Sequence, residues 1–111
     1  MNKKVIDLKV KPEERIKLIL KALNGFLNLT SKELEVVAHF LDLNPNYPCG
    51  TKERKEVCDR MDLKTVQNLN NIIRSISSKK VFINTGNGYM YNALIQNIDK
   101  LNKILINIEN V

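Results

Sequence analysis

The chain has 111 residues, 43% of them hydrophobic and 27% charged, enough for one domain around a single modest core and too little for two. No apolar run approaches the roughly eighteen residues of a membrane span, and the start through Lys3 and Lys4 leads into charged alternation, so neither a transmembrane helix nor a secretory leader is expected and a cytoplasmic location is. The formal net charge of +6 argues against an acidic or membrane-buried protein and for a polyanionic partner, a soluble protein with a basic pI being the plainer reading.

Residues 1–11 carry Val5, Ile6, Leu8 and Val10 without helical period and read as an arm or short strand. Pro12 opens a helix over 12–28, where its missing N–H costs nothing, and Glu13 and Glu14 follow at the positive end of the dipole. Ile16, Ile19, Leu20, Leu23 and Leu27 form one apolar stripe, with the exit expected from Asn24-Gly25. Thr30-Ser31-Lys32-Glu33 is a capping box that starts a second helix, whose stripe is Leu34, Val37, Ala38 and Leu41. Asn44-Pro45-Asn46-Tyr47-Pro48 ends it.

A third helix follows Gly50 with Thr51 as its cap and Val57, Cys58 and Met61 turned inward. Met61-Asp62-Leu63-Lys64 is a tight turn. The fourth helix, over 64–79, buries Val66, Leu69, Ile73 and Ile76, with Ile72 widening that face. Val81-Phe82-Ile83 and Tyr89-Met90-Tyr91 flank the tip Asn84-Thr85-Gly86-Asn87-Gly88 as a hairpin, since Gly and Asn tolerate the positive φ of tight loops. Beyond Asn92, the residues Leu94, Ile98, Leu101, Leu105 and Ile108 step by 4, 3, 4 and 3, a short heptad seam. The competing reading puts Ile104, Ile106 and Ile108 on one face of a terminal strand. The expected organisation is a single domain, 1–111: arm 1–11, N-terminal helix 12–28, helix-turn-helix and wing 30–92, and C-terminal helix or tail 93–111.

The basic excess is local. Residues 1–21 and 51–80 each carry +4, residues 22–50 carry −2, and 81–111 are neutral. Neutralising phosphates and releasing their counterions is the source of nonspecific nucleic-acid affinity, and the third and fourth helices hold half of the available charge. Abundant Asn, Lys and Ile, all with A/T-rich codons, suit an AT-rich source such as a bacteriophage. Cys49 and Cys58 make no disulfide framework, both are expected reduced, and with the single His39 they reach no zinc-ligand set. Carboxylates are scattered among lysines, and no nucleophile has a base placed by the sequence. Neither an enzyme nor a cofactor is expected.

The segment Arg54 to Phe82, RKEVCDRMDLKTVQNLNNIIRSISSKKVF, resembles the helix-turn-helix and wing entry of MarR-like winged-helix regulators. Val57-Cys58 matches the inward pair of the first helix, Met61-Asp62-Leu63 the turn, and Ile76 to Ile83 the exit. Asp62 stands where that family has glycine, and Asp tolerates the left-handed region; Lys80 replaces the exit glycine. The resemblance implies a mainly α winged helix-turn-helix with a small hairpin wing, the fourth helix in a DNA major groove, and pairing of two copies through helices from both ends of the chain. Leu94, Ile98, Leu101 and Leu105, with Ile16 to Leu27, are then the candidate homodimer surface; the alternative is that the terminal helix covers its own core.

The outward face of the fourth helix is rich in Asn, a poor helix former that a solvated surface would not select for stability. Thr65, Gln67, Asn68 and Asn71 are the candidates for base edges, because amides donate and accept together. Lys52, Lys64, Arg74, Lys79 and Lys80, with Asn84 and Asn87 on the wing, are the candidates for phosphate. Codon bias filling an idle surface with Asn is the bland alternative. The expected function is a double-stranded-DNA-binding transcription regulator; the alternative is a winged-helix module that binds protein, for example in a phage particle or a polymerase-associated complex.

Overall fold

The computed structural model describes residues 12–97 and residue 100. The arm 1–11, the seam residues Ile98, Leu101 and Leu105, and the alternative strand through Ile104, Ile106 and Ile108 lie outside the described residues. The elements are α1 (Pro12–Leu27), α2 (Ser31–Leu43), α3 (Thr51–Met61), α4 (Val66–Ser78), β1 (Phe82–Asn84) and β2 (Tyr89–Tyr91), with helical residues 93–97 after them. Four helices and a two-stranded antiparallel hairpin in this order make a winged-helix arrangement.

α1 lays Ile16, Leu20 and Leu27 into the core and packs along α2, with Ile19 and Leu23 half buried. It runs through Asn24-Gly25, the expected start of the exit, to Leu27, within the expected 12–28. Asn24 sits within the last turn, where its side chain accepts from the Leu29 N–H and donates to the Leu29 carbonyl, both at 2.9 Å. That pair holds the linker, and Asn28 in the left-handed region (φ 58°) ends the helix.

α2 is the central helix. Its capping box forms as the sequence implies, Thr30 Oγ1 accepting from the Glu33 N–H at 3.2 Å and Glu33 Oε1 accepting from the Thr30 N–H at 2.8 Å. The buried face is wider than the predicted stripe, since Val36 and Phe40 are also inside. At α3, Gly50 is the cap residue and Thr51 the first helical residue, one position later than expected for Thr51. Gly50, with no side chain, makes no cap hydrogen bond, and its carbonyl accepts from the Arg54 N–H at 2.8 Å as the first turn of α3.

The Glu33 carboxylate continues beyond its own cap. It is 5% exposed, accepts from Ser75 Oγ of α4, and lies 2.6 Å from Lys79 Nζ just past the end of α4. Burial alone would raise its pKa; the hydrogen bonds from Lys79, Ser75 and the Thr30 backbone, with the charge of Lys79, outweigh burial and hold it down to about 2. One carboxylate thereby fixes the start of α2 to the second half of α4.

The hairpin pairs Phe82 with Tyr91, Ile83 with Met90 and Asn84 with Tyr89. Gly86 takes φ 91° at the tip, Asn84 Oδ1 accepts from its N–H at 2.8 Å, and the Thr85 N–H donates to the Gly88 carbonyl at 2.9 Å. Phe82 meets Phe40 and Tyr91 edge-on, both with ring centroids 5.9 Å apart. Tyr91 is fully buried, and its hydroxyl donates to the Asn44 carbonyl at 2.7 Å, tying the hairpin to the exit of α2. Asn92 then performs three tasks. Its N–H donates to the Val81 carbonyl at 3.0 Å, its Nδ2 donates to the Lys80 carbonyl at 3.1 Å, and its Oδ1 accepts from the Ile95 N–H at 2.9 Å, capping the helical residues 93–97. That cap sets the rotation so that Ile95 is the fully buried residue, while Leu94, on the expected seam, is half buried against the same core.

The depressed Glu33 pKa has a defined acid dependence. The folded value lies below the unfolded carboxylate value of about 4.3, so the stabilisation is complete above that pH and is lost as pH falls toward 2. Glu33→Gln is expected to lower stability by about 2–3 kcal/mol near neutral pH, with the deficit closing as pH falls from about 4.5 to 2. Urea unfolding of both proteins across that range measures it; a deficit that is independent of pH would remove the charge from the explanation.

Candidate nucleic-acid interface

The turn between α3 and α4 is built on a left-handed residue. Asp62 adopts φ 53° and ψ 43°, its N–H donating to the Asp59 carbonyl at 3.3 Å while the Leu63 N–H donates to the Cys58 carbonyl at 3.0 Å. Asp62 thus adopts the left-handed conformation on which the turn is built. α4 starts two residues later than the expected 64, because Lys64 and Thr65 complete the turn and Thr65 is the cap, its Oγ1 accepting from the Asn68 N–H at 3.1 Å. Its far end closes on a second left-handed residue, Lys80 (φ 67°), with the Lys80 N–H donating to the Ser77 carbonyl at 3.0 Å and the Val81 N–H to the Ile76 carbonyl at 3.3 Å. Lys80 therefore takes a backbone conformation that glycine adopts without strain.

Between these caps the helix is sharply two-faced. Leu69, Ile73 and Ile76 are buried and Ile72 is half buried, whereas Val66, expected inside, is exposed at the first turn, where it lines a shallow groove beside Lys55 and Cys58 of α3. The polar residues divide into two groups. Thr65 is committed to the cap, Ser75 and Lys79 to Glu33, and Asn70, through its Oδ1, to Arg54 Nη1 at 2.8 Å. Arg54 also donates through Nε to the Cys49 carbonyl at 2.8 Å, so it bridges the start of α3 to α4 rather than facing outward. Gln67, Asn68, Asn71 and Arg74 remain exposed on one face of α4, with Lys64 exposed at its approach. Gln67 Nε2 donates to Asn71 Oδ1 at 3.2 Å across one helical turn.

Of the basic candidates, Lys52, Lys64, Arg74 and Lys80 are exposed, and Lys79 is half-buried in its ion pair. Lys55 is a surface cation that sequence reading passed over: it follows Lys52 by one helical turn on α3 and lines, with Lys64, a shallow groove over the turn. Its signal was the i, i+3 spacing of the two lysines. Asn84 and Asn87 are both exposed at the hairpin tip, where the Asn84 side chain is occupied in shaping the loop. An open groove of about 740 Å³ separates that tip from the α2–α3 loop, lined by Tyr47, Cys49, Tyr89 and Met90 among others, with Arg54 its one cationic wall.

Both cysteines and the histidine are held toward their neutral forms by burial. Burial pushes the Cys49 thiol up to about 12 despite the nearby Arg54, and burial with the charge of Asp59 raises Cys58 as well. His39 is half buried; burial, then the charges of Arg60 and Lys17, lower its pKa. Among the described residues no group of three or more His, Cys, Asp or Glu side chains could hold a metal ion, and no helix is long and apolar enough to cross a membrane.

The chain matches no known family model, no curated protein and no solved structure. The winged-helix assignment therefore stands on the geometry above, without a relative to supply residue roles.

Lys80 offers a direct check of the exit geometry. An L-residue in the left-handed region is disfavoured by roughly 1–2 kcal/mol relative to glycine, part of which glycine's greater chain entropy offsets. Lys80→Gly is expected to raise stability by about 0.5–1 kcal/mol, whereas Lys80→Val, β-branched at positive φ, is expected to lower it; thermal unfolding of the three proteins tests the order.

Proposed function

We propose that this chain binds double-stranded DNA as a winged-helix transcription regulator, setting α4 into the major groove and acting by binding rather than catalysis. The observation that carries the reading is the division of polar side chains on α4. Those needed to hold the helix in place are turned inward to Glu33 and Arg54, and those left over, Gln67, Asn68, Asn71 and Arg74, form one outward face of the two residue types suited to base edges and phosphate. Lys52, Lys55, Lys64 and Lys80 lie on the flanking surfaces of α3, the turn and the exit of α4, where they supply the counterion-releasing contacts. Lys79, occupied by Glu33, contributes to helix placement instead. The hairpin tip, with Asn84 and Asn87 but no cation, contributes backbone N–H groups at most.

A regulator of this shape reads two half-sites as a pair. The outer face of α1 supplies a surface for pairing: Leu18 and Phe26 are 58% and 81% exposed, with exposed Ala22 between them at four-residue steps. This stripe lies opposite Ile16, Leu20 and Leu27, so α1 is apolar on both sides, a pattern for a helix sandwiched between its own core and a second copy. The same stripe also suits the alternative function as a protein-binding or structural module, to which the uncharged hairpin tip lends weight.

In mobility shifts against AT-rich and GC-rich duplexes at low and moderate salt, binding is expected to weaken steeply with salt. Lys64→Ala and Arg74→Ala should each reduce the slope of log affinity against log salt by about 1, while Lys79→Ala lowers stability and leaves the slope nearly unchanged. Absence of duplex binding at low salt, alongside capture of a protein partner, would select the alternative. Light scattering is expected to give twice the monomer mass for the wild-type chain, and Phe26→Asp to return it to monomer; an unchanged mass would exclude the α1 stripe as the pairing surface.

A further inference from the structure

We infer that Gln67 and Asn71 act as one unit that reads an adenine in the major groove. The inference rests on the major-groove reading of α4. Gln67 Nε2 donates to Asn71 Oδ1 at 3.2 Å, and both side chains are exposed. An amide carries one acceptor oxygen and one donor NH₂ group. When two amides bond to each other, the outward pair is one oxygen from the first and one NH₂ from the second. Rotating both amides by half a turn exchanges their roles and again presents one acceptor and one donor group, so the outward pattern does not depend on which amide donates.

That pattern is selective among base edges. Adenine offers N7 as an acceptor beside the N6 amino donor, the complement of the pair: Gln67 Oε1 accepts from N6–H and Asn71 Nδ2 donates to N7. Guanine offers two acceptors, N7 and O6, which sets an acceptor against the Gln67 oxygen. Cytosine offers a donor alone, and thymine an acceptor beside a methyl group. Asn70 and Ser75 are drawn inward to Arg54 and Glu33, and Asn68 is the other exposed amide on the face, with no side-chain bond to the pair. Holding the two amides against each other also limits their rotamer freedom before binding, so less order is imposed by the base.

Two duplexes of equal length, one AT-rich and one GC-rich, together with an AT-rich duplex in which 7-deazaadenine replaces adenine, test the unit. The modified base keeps Watson–Crick pairing and lacks N7. Wild-type protein is expected to prefer the AT-rich duplex by about 5- to 150-fold and to lose most of that preference on the 7-deaza duplex. Gln67→Ala and Asn71→Ala should each remove a similar share of the preference, and the double variant little more, because either deletion breaks the unit. Affinity for the GC-rich duplex, and the thermal midpoint, should stay near wild type in all three variants. Losses that add independently, or a preference that survives 7-deazaadenine, would overturn the unit while leaving DNA binding intact. Failure to bind any of the duplexes at low salt would instead overturn the major-groove reading and this inference with it.

Discussion

The position of α4 depends on one buried carboxylate. Glu33 is the third residue of α2, a place where an acidic side chain is favoured both by the helix dipole and by the reciprocal cap with Thr30. It would be satisfied there at the surface. Here it is buried, and the opposing desolvation is overcome because Lys79 and Ser75 bring a charge and a hydroxyl from α4. A buried carboxylate that accepts three directed hydrogen bonds is more restrictive than apolar packing, since sliding α4 along α2 by one residue would leave the charge unpaired. Hydrophobic contact through Leu69, Ile73 and Ile76 supplies adhesion; Glu33 supplies register.

The remaining ties follow the same division of labour. Arg54 fixes α3 to α4 through Asn70, Tyr91 fixes the hairpin to the end of α2, and the Arg60–Asp42 ion pair at 2.9 Å adds a weaker, more exposed link between α3 and α2. Each joins two elements through a directed polar contact rather than through apolar packing alone. The outward face of α4 is consequently free to carry Asn at the expense of helix propensity, because its caps and inward anchors hold the helix without help from that face.

What the sequence made legible was local. Thr30 and Glu33 are three residues apart and announce their cap; Asp62 and Lys80 both adopt the left-handed backbone, at the turn before α4 and at its exit. What it concealed was either distant or decided by phase. Ser75 and Lys79 lie 42 and 46 residues from Glu33, so nothing near the capping box marks it as an ion-pair site. Arg54 reads as a surface cation until Asn70, sixteen residues on, draws it inward. At the C-terminal end, Leu94 and Ile95 are equally apolar, and the heptad spacing selected Leu94; the Asn92 cap selected Ile95. Of the candidate interface, the residue types on α4 were readable, but which were free and which were engaged was not.

Asn92 also has a mechanical meaning. Its amide holds the carbonyl that ends α4, its backbone holds the first residue of the hairpin approach, and its side-chain oxygen holds the first turn of the helix that follows. A displacement of the Lys80 carbonyl would break the Asn92 contact before it reached the cap on residues 93–97 or would carry that cap with it. The exit of α4 and the first turn of the helical residues 93–97 are therefore held by one and the same side chain.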